Sequence, residues 1–247
     1  MTADVSVLIP TSPIATHPSL EVIAETVASV RAHLPVAPLF IMVDGPIAPT
    51  ASDAYVEYVR RVTVACERAW APALPLLHHV HTHQYRMTRR AADYVTTRHV
   101  LFVEHDTPLL DRPIPWDGIA DALDSGAVHV VRLHHEASIL EPHRHLMFGD
   151  GPQDIAGVPL WPTQQWSQRP HVSSTGFYRT MLAGDWWRPS DGMIEDRMHS
   201  VVQAAVSSHG DAGWDQFRIA VYHPDGDIKR STHLDGRAGE AKVTFVG

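Results

Sequence analysis

The chain has 247 residues, 44% of them hydrophobic, and a net charge of −8; histidine occurs 18 times. That length suits one elaborated α/β domain with a substantial core, the acidic balance excludes nucleic-acid binding by a global basic field, and no apolar run reaches the roughly 18 residues of a membrane span. The lone cysteine, Cys66, excludes an internal disulfide or a multi-cysteine metal cluster and, with an N-terminus lacking a basic, cleavable leader, points to a soluble protein of the reducing cytoplasm.

In chain order, Val5 to Ile9 reads as a strand stopped by Pro10. A helix follows, striped with Leu20, Ile23, Val27, Val30 and Leu34 behind a Ser19 cap. Leu39 to Val43 is a second strand, closed by Asp44-Gly45-Pro46, and Tyr55, Val59, Val62 and Cys66 stripe a second helix after Ser52. Leu76 to Val80 predicts a third strand, Met87 to Thr97 a third helix, and His99 to Val103 a fourth strand that ends in Glu104-His105-Asp106. This alternation implies a parallel sheet with right-handed crossovers. Beyond it the rhythm changes. Ala127 to Leu133 and His171 to Arg179 read as strands on either side of a Gly/Pro-rich loop over 149–170; Met193 to Ser207 reads as a helix capped by Ser190 or Asp191, and Phe217 to Tyr222 as a last strand. The expected organisation is a single domain with a nucleotide-binding half, 1–110, and an acceptor-side half, 111–247.

Ligands of open α/β sheets bind outside the carboxyl ends of the strands, where strand order reverses. Thr11-Ser12-Pro13 after the first strand has neither a dinucleotide fingerprint nor a P-loop. Asp44 closes the second strand, and Glu104 and Asp106 close the fourth; two hard oxygen donors there suit Mg²⁺ or Mn²⁺ bridged to nucleotide phosphates.

In these landmarks the sequence resembles the GT-A glycosyltransferases, particularly the family-2-like enzymes that use nucleotide-diphosphate sugars. VSVLIPTSP and FIMVDGP are similar to the first two strands of their nucleotide-binding half, and RMTRRAADYVTTRHVLFVEHDTPLL to their basic helix, strand and D-x-D segment. STGFYRTM followed by MIEDRMH resembles the acceptor-side strand and the helix that opens on an acidic pair. The resemblance implies a Rossmann-like, doubly wound mixed sheet with an irregular second half. It implies Glu104-His105-Asp106 as the D-x-D equivalent, Asp106, Glu104 and His233 around the metal, and a base from the Glu195-Asp196 pair, Asp196 being narrowly preferred. Glu in place of the first Asp, and VDG after the second strand, depart from the family pattern. Donor contacts are expected from Pro10, Thr11, Asp44, Glu104 and His105, and phosphate contacts from Arg86, Arg89, Arg90, Lys229 and Arg230, whose cations suit a departing diphosphate. Trp161, Trp166, Trp186 and Trp187 are candidate acceptor contacts.

The expected activity is metal-dependent, inverting transfer of a sugar to a hydroxyl of a glycan, metabolite, lipid-linked sugar, peptide or modified nucleic-acid base. The rival reading is a zinc hydrolase built on His78, His79, His81 and His83 or on His134, His135, His143 and His145; too little chain follows the first cluster for a hydrolase barrel. A non-catalytic sugar-nucleotide or carbohydrate-binding protein is the third.

Overall fold

A computed structural model describes residues 4–48, 50–188 and 192–234. Ser190 and Asp191, the expected helix cap, lie outside them.

The first four strands are β1 (Val5–Thr11), β2 (Leu39–Val43), β3 (Ala73–Leu77) and β4 (His99–Phe102), alternating with α1 (Glu21–His33), α2 (Asp53–Arg68) and α3 (His83–Tyr94). Pro10 does not stop β1, which pairs in parallel with β2 through Thr11 and Val43. β3 begins three residues before its expected start, with Pro75 inside it. It is an edge strand, where a missing N–H is tolerated.

The second half contains α4 (Trp116–Asp124), β5 (Val130–Arg132), β6 (Gln153–Ile155), β7 (Val158–Pro162), β8 (His171–Ser174), α5 (Thr175–Ala183), α6 (Ile194–His209), α7 (Asp211–Asp215) and β9 (Ile219–Tyr222). Two expectations are corrected here. The stretch 149–170 holds an antiparallel hairpin, β6–β7, turned at Ala156-Gly157 with both residues at positive φ. The strand expected to run to Arg179 ends at Ser174, whose side chain accepts the Phe177 N–H and so caps α5.

The nine strands of the described residues form one sheet in the order β3-β2-β1-β4-β8-β5-β9-β7-β6. β1 to β4 are parallel to one another, β8 runs antiparallel between β4 and β5, and β5 is parallel to β9. Side chains alternate across the strands. Val7 and Ile9 pack with α1, α2 and α4 on one face, while Leu8, Met42 and Phe102 pack with α3, α5 and α6 on the other. The sheet is therefore doubly wound and mixed, as expected. Chain order reverses between β1 and β4, and because β8 is antiparallel, its amino end reaches the same edge as the carboxyl ends of β1, β2, β4 and β5. Among the described residues, no helix is long and apolar enough to cross a membrane.

Candidate active site

Asp44 leaves β2 almost fully buried and is consumed by backbone. Its Oδ1 accepts the N–H groups of Gly45 (2.8 Å) and Thr82 (2.6 Å), its Oδ2 accepts that of His83 (3.1 Å), and His81 Nδ1 lies 2.9 Å from Oδ2. Its carbonyl accepts the Tyr55 hydroxyl. Asp44 thereby pins the β3–α3 connection over the strand ends and holds His83 at φ 64, a costly conformation outside glycine. With Pro10, Thr11, Gln84, Met87, Glu104, His105 and Met193 it lines a slot of ≈ 120 Å³. The Thr11 hydroxyl is bonded to Tyr58 (2.7 Å), so its side chain braces the slot.

Glu104 stands two residues beyond the end of β4. Burial, then the neighbouring Asp106 and Glu195 carboxylates, push its pKa up to about 8 against the opposing hydrogen bond from Gln84. Gln84 is the hub: its Nε2 donates to Glu104 Oε1 (2.8 Å), while its Oε1 accepts the Ile194 N–H (3.1 Å) at the start of α6 and the Gln168 amide. Gln168 N–H in turn donates to Glu195 Oε2 (3.1 Å). The structure thus draws Glu195 into the cluster and leaves Asp196 exposed; one residue along a helix turns a side chain by about 100°.

Behind Glu195 stand two cations not singled out in the sequence. Arg132, at the end of β5, is 1% exposed, and its Nε and Nη2 have no hydrogen-bond partner among the described residues. Burial, then repulsion from Arg169, lower its pKa to about 9, while Glu195 and Glu136 oppose the shift. Arg169 donates to Glu136 (2.5 Å) and lies 2.8 Å from His134 Nε2. Burial alone would raise Glu136, but its hydrogen bond with His134 and the charges of Arg169, His134 and His135 bring it down to about 2. A polar Gln84 inside the buried stripe Gln84, Met87, Thr88, Ala91 was the signal that could have found the hub.

Asp106 lies toward the last described segment. Its carbonyl accepts the Leu234 N–H (2.8 Å), and His233 Nε2 stands 3.4 Å from its Oδ2. Ligands on adjacent vertices of an octahedral Mg²⁺ lie about 3 Å apart, so this pair fits two positions on one divalent ion. Among the described residues, no group of three or more His, Cys, Asp or Glu side chains is placed to hold a metal. Two protein donors suit a hard cation that takes its other ligands from water and phosphate, and neither expected histidine cluster forms a zinc centre.

The remaining candidates are dispersed. Arg230 is buried, with its guanidinium bonded to the carbonyls of Pro113, Asp227 and Lys229, and is structural. Lys229 forms a backbone bridge to His134. Arg86, Arg89 and Arg90 line a different cleft, of ≈ 460 Å³, on the outer side of α3. Trp187 lines that cleft too, Trp186 packs near Phe217, and Trp161 is a core residue bonded to the Phe148 carbonyl. Trp166, 1% exposed, lies edge-on to His171 in the core.

No protein-family model and no curated protein matches the sequence. Solved structures do match. A mannosyltransferase from Pyrobaculum calidifontis, PcManGT, in complex with GDP-Man and Mn²⁺, is 15% identical with a TM-score of 0.59, over 97% of this chain and 59% of that one. S. aureus TarS residues 1–349 with UDP-GlcNAc gives 14% and 0.56, over 96% and 59%. GalNAc-T7 with UDP, GalNAc and Mn²⁺ gives 10% and 0.52, over 98% and 46%. The chain thus spans about half of each neighbour's length. Across that span it has the GT-A glycosyltransferase fold.

Proposed function

We propose that the protein is a divalent-metal-dependent glycosyltransferase that moves a sugar from a nucleotide-diphosphate sugar to a hydroxyl acceptor with inversion. The observation that carries this reading is the convergence of Glu104, Asp106 and Glu195 on the switch-point edge, with Gln84 tying the β4 carboxylate to the start of the Glu195 helix. Neighbours that bind GDP-Man or UDP-GlcNAc support the donor class, and two solved with Mn²⁺ support the metal.

Asp106 and His233 would hold Mn²⁺ or Mg²⁺, which when bound neutralises charge on a diphosphate. The slot walled by Pro10, Thr11 and the Asp44-pinned loop would receive the nucleoside, so that residues 1–110 serve the donor and 111–247 the acceptor. The acceptor oxygen attacks the anomeric carbon as the bond from that carbon to the diphosphate oxygen breaks. The electron pair leaves with the diphosphate, and the acceptor proton passes to the Glu195 carboxylate. Arg132 and Arg169 direct positive charge toward Glu195. A single displacement with the base opposite the leaving group inverts the centre. The lone Cys66, buried in the core, is consistent with a cytoplasmic setting.

The test is a thermal-shift screen of GDP- and UDP-sugars with and without Mn²⁺, followed by transfer assays. Ligand at about 100 times its Kd stabilises by about 2.7 kcal/mol, a rise of roughly 5–10 °C for a domain of this size. The rise is expected in the wild type and in Glu195→Gln but not in Asp106→Ala. Glu195→Gln should cut transfer by about 10²–10⁴-fold, and Asp196→Asn should retain it. Metal-dependent binding that survives Asp106→Ala, or wild-type turnover by Glu195→Gln, overturns the reading.

A further inference from the structure

Asp44 has no lone pair left for a ligand. An ionised carboxylate has about four acceptor positions, and the N–H groups of Gly45, Thr82 and His83 together with His81 Nδ1 occupy them across its two oxygens. The side chain therefore builds the slot and does not read what enters it. Because a carboxylate oxygen only accepts, the ring proton of His81 sits on Nδ1, facing Asp44, and the neutral imidazole keeps its lone pair on Nε2. That Nε2 has no hydrogen-bond partner among the described residues, while the ring lines the slot with its side chain 25% exposed. Asp44 orients the imidazole in advance, as a carboxylate behind a histidine does at a metal.

The rest of the slot suits one flat ring. Pro10, Met87 and Met193 give it apolar walls, and its ≈ 120 Å³ falls below the roughly 300–1,000 Å³ of sites that hold a whole ligand. Ser12 adds a hydroxyl without a partner among the described residues. Glu104 and His105 line the slot and directly precede Asp106, so it adjoins the Asp106–His233 pair, where the diphosphate belongs. The bases ask different things of such a place. Guanine presents N1–H and N2–H side by side, a pair that calls for a carboxylate with both oxygens open; Asp44 is saturated, and Glu104 Oε1 already accepts Gln84 Nε2. Cytosine and adenine present a bare ring nitrogen, which faces the His81 lone pair without a proton between them. Uracil presents a single N–H between two carbonyls, which an acceptor with a hydroxyl nearby satisfies.

We propose that His81 selects the base of the donor: its Nε2 accepts the N3–H of uracil, and the donor is a uridine-diphosphate sugar. That the ligand is a sugar donor rests on the transferase reading above; the choice of uracil rests on the Asp44–His81 pair.

Calorimetry on the full chain with Mn²⁺ at pH 8, where a free imidazole is neutral, compares UDP, CDP, GDP and ADP. UDP should bind the wild type about 10-fold or more tighter than each of the others, the discrimination between a matched and an unmatched hydrogen bond. His81→Ala should weaken UDP by about 10-fold or more and leave CDP within about threefold of its wild-type affinity, so that the two nucleotides bind alike. The wild-type ranking is a test that depends on no variant's folding. Equal binding of UDP and CDP by the wild type, tighter binding of GDP or ADP, or a preference for UDP that persists in a folded His81→Ala variant would each overturn the proposal and leave the transferase reading standing. Failure of all four diphosphates to bind would overturn both.

Discussion

At the scale of single residues, Glu104 has the clearest thermodynamic signature. Its pKa is raised from 4.5 to about 8 in the fold, so the folded state holds a proton that the unfolded chain releases above about pH 4.5. The resulting stability is complete below 4.5 and is lost as pH rises through about 8. Glu104→Gln keeps the shape without the titration. Compared with the wild type in the absence of divalent ions, it should melt at the same temperature near pH 4 and higher by about 5 °C or more near pH 8, reflecting a shift of a few kcal/mol. A difference between the two that stayed flat across that range would show that burial and the neighbouring carboxylates do not control this group. The histidines divide by the same kind of reasoning. Among the described residues, His99 is buried against Asp124 and His171 against Tyr178, His17 stacks half-buried on the Tyr58 ring, and His81, His134 and His233 contact the acidic Asp44, Glu136 and Asp106 of the site.

At the scale of elements, the first half of the fold was legible because its strands are short apolar runs and its helices carry clean stripes, and α2 follows Ser52, which caps it. β3 was misplaced because Pro75 reads as a breaker, whereas an edge strand accommodates it. α4, the β6–β7 hairpin and the switch from β8 to α5 were missed because short elements carry little periodicity; Ser174 was available as a cap and went unread. The strand-end carboxylates could be read from the sequence since their position follows from the fold class. Arg132, Arg169 and Gln168 could not, because only the pairing of β5 with an antiparallel β8 brings them to that edge. One close approach organises the entry to the slot: a Cβ on Gly45 would lie 2.1 Å from the Val80 carbonyl carbon. Gly45→Ala must push the 78–82 connection outward and draw the Thr82 and His83 N–H groups off Asp44. A loss of about 2–3 kcal/mol in urea unfolding is expected from overpacking and the broken bonds. Gly176→Ala, in a helix with open space, should be neutral or slightly stabilising. Equal effects from both substitutions would remove the role given to the Gly45 contact.

At the scale of the whole molecule, the segment 228–234 crosses the strand ends and joins parts that are far apart in sequence. Ile228 is fully buried, Ser231 pairs with Leu109 and bonds to the His134 carbonyl and His135 Nδ1, and the segment delivers His233 to Asp106. Ile228→Ala should cost about 2–5 kcal/mol as a core truncation. It should also reduce the Mn²⁺-dependent thermal shift with nucleotide, because the anchor of a proposed metal ligand is loosened. Full retention of that shift in the destabilised variant would show that the segment is not coupled to the metal site.

The antiparallel β8, wedged between β4 and β5, also sets an order of assembly. Synthesis delivers the four parallel strands first and β5 next, yet β4 and β5 are not neighbours, and the open flank of each waits for residues 171–174. Until those residues emerge from the ribosome, two strand edges stay exposed at once, the condition under which nascent chains pair wrongly. The same wedge limits engineering. A chimera that exchanged acceptor specificity by cutting near residue 110 would separate β4 from the strand that covers it, so any transferable module has to carry β8 together with its β4 contacts, or the crevice between them loses its shared wall.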